Sequence, residues 1–412
     1  MRDCGRRARF QGVETCEVKV DRSPVPAHKV FGNWQARLHR IMTWLPHRRC
    51  ALTSALMSRV LITGGGGFIG CRLSALLIEA GYEVTVADVL HPQVHPDRCR
   101  PADLHPAVQF LPVDVTLAET WEPLLNMAQP DAVVHLAAET GTGQSLAEAS
   151  RHGLVNVVGT TRLMDALYRM KSRPEHIVLT SSRAVYGDGA WADASGAITY
   201  PGLRSHASLV QGHWDPVGAD GESLTALPSV AGITQTHPTN VYAATKLAQE
   251  HMLQAWCAAT DTRLSILRLQ NVYGPGQAIG NSYTGVLTFF ASRVAAGLPI
   301  DVYEDGNIVR DFVYIADVAS ALVAAIGSPP KTTRVLDIGS GSATTIFKVA
   351  QTMAGFGAGS ELRLRGLFRD GDVRAASCSI DAAQAEIGYR PETSLEAGVR
   401  NLLEWAATGV RS

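Results

Sequence analysis

The chain has 412 residues, 46% of them hydrophobic and 18% charged, and a formal net charge of -1. That is a globular composition, long enough for one large α/β domain and a smaller lobe. The near-zero charge argues against nucleic acid or an anionic membrane surface as a partner, and no apolar run is long enough to span a membrane.

Seven cysteines, at 4, 16, 50, 71, 99, 257 and 378, include no C-x-x-C pair. Such a pattern fits a reducing cytoplasm and argues against a disulfide framework or a zinc site, so no metal is expected. Residues 1–56 are rich in Arg and His and lack periodicity. They read as a disordered extension or a start assigned too early, with the folded domain beginning at about Met57.

Val60-Leu61-Ile62 is a short apolar run of the kind found in a parallel strand covered on both faces. Gly64, Gly67 and Gly70 follow with G-x-x-G-x-x-G spacing, and Leu73, Leu76 and Leu77 then mark an amphipathic helix. The first glycine allows a tight turn, the second close approach of backbone to a pyrophosphate, and the third helix–strand packing. The helix start offers N–H groups and a positive dipole end to phosphate, so the stretch reads as a dinucleotide site. A second strand, Tyr82 to Asp88, ends in an acid about 20 residues past the glycines, where a carboxylate can bind the adenosine ribose. Its charge repels a 2′-phosphate, which favours NAD over NADP.

Further strands are expected over Gln109 to Val115, Ala132 to Ala138 and His176 to Ser182, with a helix over Leu154 to Tyr168. Alternating strands and helices imply an α/β, doubly wound parallel sheet whose ligands gather at the strands' carboxyl ends. Asp114, Ala137, Ala138 and Ser182 stand at such ends. Residues 187–238 form a long stretch rich in Gly, Ala, Ser, Pro and His and carry Trp191, Tyr200 and Trp214. Its length and place suggest a lid beside the active site. Tyr242 and Lys246 are four apart and share a helix face. Arg263 to Leu269 is a sixth strand. Beyond it, Val286 to Ala296, Ile308 to Tyr314 and Arg334 to Gly339 read as elements of a second lobe.

Ser182, Tyr242 and Lys246 together carry the chemistry. A free tyrosine is a poor base at neutral pH, but a nearby ammonium and a positive nicotinamide ring stabilise its phenolate. Such a tyrosine takes a proton from an alcohol while the ring takes the hydride from the same carbon. A serine hydroxyl can hold the oxygen in place.

Several motifs in order now make a resemblance plain. They are Thr63 to Gly70, His135-Leu136-Ala137-Ala138, Thr180-Ser181-Ser182-Arg183-Ala184-Val185-Tyr186-Gly187, Tyr242-x-x-x-Lys246, Asn271-Val272-Tyr273-Gly274-Pro275 and Arg310-Asp311-Phe312-Val313. From Met57 onward the chain resembles an extended short-chain dehydrogenase/reductase of the nucleotide-sugar epimerase and dehydratase family. The resemblance implies a Rossmann-type NAD-binding domain over 57–270 with the lid insert at about 187–238. Residues 271–412 would form mainly a sugar-nucleotide lobe, with some segments returning to the first domain. It implies cofactor contacts from Gly64, Gly67, Phe68, Ile69, Gly70, Asp88, Asp114, Val115, Leu136, Ala137, Ala138, Tyr242 and Lys246, with Asn156 lining the nicotinamide side. Ser182, Arg183, Asn271, Val286, Arg310, Arg369 and Asp372 would meet the substrate, Asn271 and Arg310 facing its diphosphate. It also implies a homodimer packed through helices near 150–170 and 242–258.

Within that family, dehydratases carry an Asp-Glu pair directly after the catalytic serine or threonine. Here the positions hold Arg183 and Ala184, which disfavours dehydration and leaves redox at one carbon: oxidation at C4, rotation of the keto sugar and return of the hydride. Glu139 to Ser145, Ser181 to Tyr186, Asn281 to Leu287 and the insert's Trp214-Asp215-Pro216 are similar to the bacterial dTDP-L-rhamnose 4-epimerase group. That group often carries cysteines in the insert, and this chain has none between Cys99 and Cys257. A UDP-hexose substrate, a 4-ketoreductase consuming external NADH or NADPH, and a non-catalytic dinucleotide sensor are the alternatives.

Overall fold

The computed structural model describes residues 58–278, 285–356 and 360–409. The extension over 1–56, the start at Met57 and the Asn281-to-Thr284 part of the resemblance lie outside the described residues.

Seven strands make the central sheet: β1 (Arg59–Thr63), β2 (Glu83–Asp88), β3 (Gln109–Pro112), β4 (Ala132–His135), β5 (His176–Ser182), β6 (Arg263–Leu269) and β7 (Thr333–Ile338). They run parallel in the order β7-β6-β5-β4-β1-β2-β3. Helices α1 (Phe68–Glu79), α2 (Ala118–Ala128), α3 (Gly159–Arg169), α4 (Val241–Thr260) and α5 (Ile315–Gly327) cover its faces. The period of two along β1 sorts its side chains. Val60 and Ile62 enter a core with Leu73 and Leu77 of α1 and Val318 and Leu322 of α5. Leu61 enters the opposite core with Trp121 of α2, Leu163 of α3 and Leu253 of α4. A fully apolar strand is what a sheet buried on both faces requires. This is a Rossmann-type α/β fold.

Two strands stop earlier than expected. The third ends at Pro112, and the chain then turns on Asp114, whose Oδ1 accepts from the Thr116 N–H at 2.8 Å and its hydroxyl at 2.7 Å. The fourth ends at His135, after which the Leu136 N–H makes one more bond to the Thr63 carbonyl at 3.0 Å and the Glu139 N–H turns to Asn156 Oδ1 at 2.7 Å. The helix expected over Leu154 to Tyr168 begins earlier, with one turn at Ala149–His152 and a π-helical turn over Gly153–Val158 ahead of α3. Such a turn shifts the helix register and aims Asn156 inward.

The segment read as Arg334 to Gly339 of the second lobe is β7, paired with β6 through Val335↔Ile266 and Leu336↔Leu267. Leu336 and Ile338 complete the first core there. The second lobe is a smaller sheet of Asn271–Tyr273, Val309–Tyr314, Ala343–Thr345 and Ala375–Ala376. Tyr273, Phe290, Phe312 and Met353 form its core.

Residues 187–238 are not structureless. Trp191–Ala192 pairs with Ile198–Thr199 and Thr225–Ala226, and His206–Val210 is a short helix capped by Ser205. Buried ion pairs fasten the stretch. Arg204 makes a fork with Glu304 at 2.9 and 2.8 Å and also donates to the Asp372 carbonyl at 2.9 Å. Arg374 binds Glu304 at 2.9 Å and Asp215 at 2.7 Å.

Candidate active site

The carboxyl ends of β1, β2, β4 and β5 converge on the glycine turn. Gly64 has φ +68°, and a Cβ there would lie 2.6 Å from the Ala137 Cα and N. Only glycine fits. A Cβ on Gly70 would lie 2.4 Å from Gly65 Cα, so Gly70 acts by letting α1 approach the turn. Helix α1 starts after Gly67 with no side-chain cap and no acid in its first turn. Its first N–H groups and dipole are therefore left for an anion. Asp88 takes the Gly66 N–H at 2.9 Å and the Leu90 N–H at 2.8 Å. Each oxygen keeps acceptor capacity for a ribose hydroxyl. These residues fit a dinucleotide: Gly64, Gly67, Phe68 and Ile69 would hold its diphosphate and Asp88 its ribose.

Asn156 sits deeper than the family pattern implied, whereas the burial of Val115 does not set it apart from Lys246. Val115 is 6% exposed and packs on Gly159, while its carbonyl accepts from the Trp121 indole at 3.0 Å. Asn156 is fully buried, and its Nδ2 donates to the Glu139 carbonyl at 3.0 Å and to Thr245 Oγ1 at 2.9 Å. With no exposed surface it cannot line a nicotinamide. Instead it ties the segment after Ala138 to the first turns of α4. Leu136 and Ala138 remain half-buried beside the turn.

Ser182 closes β5, and its Oγ accepts from the Ala184 N–H at 3.2 Å, starting a 3-10 turn over Arg183–Tyr186. Tyr242 is the second residue of α4, whose start is fixed by Asn240 Oδ1 accepting from the Ala243 N–H at 2.9 Å. Burial raises the Tyr242 phenol above its ordinary value, while a hydrogen bond with Ser182 and the charge of Arg183 pull it down. Lys246 is 2% exposed, and burial lowers its ammonium to about 7, against the opposing pull of Glu250. Serine and tyrosine thus come together, with Arg183 as the cation acting on the tyrosine and Lys246 one helical turn further along α4.

Arg183 gathers the substrate-side residues. Burial and the like charge of Arg310 lower its guanidinium to about 10, against Asp372, Asp188 and Tyr242. Arg310 is 5% exposed and binds Asp372 Oδ1 at 2.7 Å, not the adjacent Asp311. Asn271 keeps a buried Oδ1 without a partner among the described residues. Val286 opens the helix Val286–Ala295 and packs into the second-lobe core. Arg369 is exposed and lies over the Tyr303 ring at 5.3 Å, and no ion pair joins it to the Arg310–Asp372 pair among the described residues.

A buried network behind the site went unread in the sequence. Ser181 hydrogen-bonds Glu250, and Glu250 grips Arg268 at 3.0 and 2.6 Å. Arg268 donates to the Tyr186 hydroxyl at 2.9 Å, which donates to Asp337. The one available signal was Glu250 standing one helical turn after Lys246.

The model of the NAD dependent epimerase/dehydratase family matches residues 60–201 and 218–339. The chain belongs to that family. It is 52% identical over 349 residues to the dTDP-L-rhamnose 4-epimerase of Burkholderia thailandensis, covering 85% of this chain and 95% of that protein. It is 28% identical to the UDP-glucose 4-epimerase of Mycolicibacterium smegmatis, covering 84% and 98%. The crystal structure of a Thermus thermophilus UDP-glucose 4-epimerase in complex with NAD superposes with a TM-score of 0.66 at 28% identity, over 84% of this chain and 98% of that one. The enzyme is an NDP-sugar epimerase with NAD as its cofactor. No helix among the described residues is long and apolar enough to cross a membrane.

Proposed function

We propose that the epimerase inverts C4 of a dTDP-6-deoxyhexose such as dTDP-L-rhamnose and works as a cytoplasmic homodimer. The observation that carries the reading is the Ser182–Tyr242–Lys246 set, with Arg183-Ala184 where a dehydratase would hold its acid pair. The 52% identity to a dTDP-L-rhamnose 4-epimerase supports the sugar.

When bound at the glycine turn, NAD would supply the hydride acceptor for C4 and the hydride donor for the other face of the rotated keto sugar. Tyr242 removes the proton from the C4 hydroxyl and later gives it back. Ser182 holds the same oxygen by a hydrogen bond. Lys246 and Arg183 supply the positive charge that makes a phenolate affordable near neutral pH. Arg310, already desolvated and oriented by Asp372, faces the diphosphate with its remaining N–H donors. Neither Arg183 nor Ala184, directly after Ser182, is an acid that could protonate a leaving hydroxyl, so the keto sugar is reduced again. The dimer reading is supported by the outward groups Leu154 and Tyr168 at the helical stretch 149–169, which are 48% and 65% exposed. Free Cys71, Cys99, Cys257 and Cys378 support a reducing compartment.

The test is incubation of purified NAD-loaded protein with dTDP-L-rhamnose, followed by NMR of the C4 proton. A C4 epimer without net NADH consumption is expected. No epimer from any dTDP- or UDP-hexose would refute the reading, and stoichiometric NADH oxidation with a 4-keto sugar would replace it by a ketoreductase.

A further inference from the structure

An epimerase ends each cycle with its cofactor in the starting redox state. Losing the reduced cofactor mid-cycle would strand the keto sugar. Something must close the dinucleotide site between the half-reactions, and a side-chain cluster outside the catalytic set lies where such a closure belongs.

In the strand order β4-β1-β2, the glycine turn leaves the carboxyl end of the middle strand. The segments leaving β2 and β4 flank it on either side. These two segments are joined across it. Gln93, after β2, and Gln144, after β4, form a reciprocal amide pair: Gln93 Nε2 donates to Gln144 Oε1 at 3.0 Å, and Gln144 Nε2 donates to Gln93 Oε1 at 3.2 Å. Arg151 locks the pair. Its Nη2 donates to Gln93 Oε1 at 3.2 Å and to Glu139 Oε2 at 2.7 Å, and its Nη1 binds Glu148 Oε2 at 2.7 Å. His91 Nδ1 accepts from Arg151 Nη2 at 3.4 Å.

The chemistry is specific to a junction. Gln144 is 4% exposed, although a glutamine amide has no place in a core unless its polar atoms are satisfied. Arg151 brings two carboxylates, Glu139 and Glu148, to one guanidinium, and without it they would repel each other. These bonds between the two segments are made by side chains, so they can open without unravelling either strand.

We propose that Arg151, through Gln93 and Gln144, clasps the segment after Asp88 to the segment after Ala138 across the glycine turn and so retains NAD between the two half-reactions. The clasp is a positioning device. Arg151 acts on the cofactor through the two segments it joins, and the proposal rests on the epimerase reading, since only a cofactor that is not exchanged each cycle needs retention.

The test loads holoenzyme with NADH and follows loss of its bound fluorescence after adding excess NAD, with no sugar present. Two variants cut the clasp from opposite sides, Arg151→Gln and Gln93→Ala. Thermal melts of the nucleotide-free proteins report whether the fold is kept. Release about tenfold faster in both variants is expected, because losses of this kind fall on the dissociation rate. During turnover both should leak NADH and stall, and added NAD should restore them. Unchanged release in either folded variant overturns the clasp. If the wild type epimerises its sugar while the variants release NADH at the wild-type rate, the clasp fails and the epimerase reading stands. If release quickens but no sugar is epimerised, the epimerase reading fails while the clasp's grip on the nucleotide stands. A wild type that binds neither NAD nor NADH overturns both.

Discussion

At the scale of single residues, the site is a contest between burial and charge. Tyr242 is pushed up by burial, and its counterweights are Ser182 and Arg183. Removing the phenol hydroxyl in Tyr242→Phe should cost at least about a hundredfold in kcat, the usual contribution of a positioned acid/base group, read by the NMR epimerisation assay. Lys246 is lowered to about 7, so it is the cation below that pH and neutral above it. Glu250, one turn further along α4, raises it. Charged or titratable groups on elements packed against α4 include His152, Arg183, Tyr186, Arg268 and Asp337, and the Lys246 charge also acts on His135. Of these, His135 is held neutral by burial at about 3.

Glu250→Gln keeps the shape and the bond to Ser181 but removes the charge that supports the ammonium. The alkaline fall in kcat/KM should then move to lower pH by roughly one unit, because the lysine loses its proton sooner. A pH–rate profile superposable on that of wild type would show that Glu250 serves only as Arg268's partner. Lys246 was readable from its spacing to Tyr242. Its poise near neutrality was not, because that depends on how deeply α4 is buried against β5.

At the scale of elements, the insert over 187–238 departs furthest from what its composition suggests. Gly, Pro and Ser content reads as a loop, and local propensity does favour turns there. What gives the stretch a fixed place is a long-range ionic cluster. Arg204, Glu304 and Arg374 have side chains only 5%, 1% and 4% exposed. Buried ions persist only when paired. Arg204 also holds the Asp372 carbonyl, and Asp372 orients Arg310, so the insert reaches the substrate side through two contacts. Arg204→Ala should destabilise the protein by roughly 3 kcal/mol, the lower end for removing one partner of a buried pair, because Arg374 still neutralises Glu304. Urea denaturation reads this directly. In the fraction that stays folded, KM should rise more than kcat falls.

At the scale of the whole molecule, the proposed site draws on two lobes. The central sheet supplies the glycine turn, Ser182 and, through α4, Tyr242 and Lys246. The second lobe supplies Arg310 and Asp372. A ligand that binds only the folded form stabilises it by mass action, about 2.7 kcal/mol at a hundred times its dissociation constant. Thermal melts should therefore rise with NAD concentration. In the proposed site a dTDP-sugar spans both lobes, so it should add a further increment. A melt insensitive to NAD would contradict the cofactor site proposed at Gly64 and Asp88.

The sequence by itself determined the parallel sheet, because strands buried on both faces must be apolar throughout, as Val60-Leu61-Ile62 is. It determined the glycine turn, because Gly64 needs a positive φ and a bare Cα against Ala137. It determined the Tyr242–Lys246 pair, because positions four apart share a helix face. Only the tertiary structure decided that β7 completes the central sheet, since a strand's apolar pattern does not name its neighbour. It withdrew Asn156 from the cofactor surface by turning its amide onto Glu139 and Thr245. It also brought Gln93, Gln144 and Arg151 together across the glycine turn. Gln93 lies 51 residues from Gln144 and 58 from Arg151, and contacts at such separations depend on how the strands are ordered.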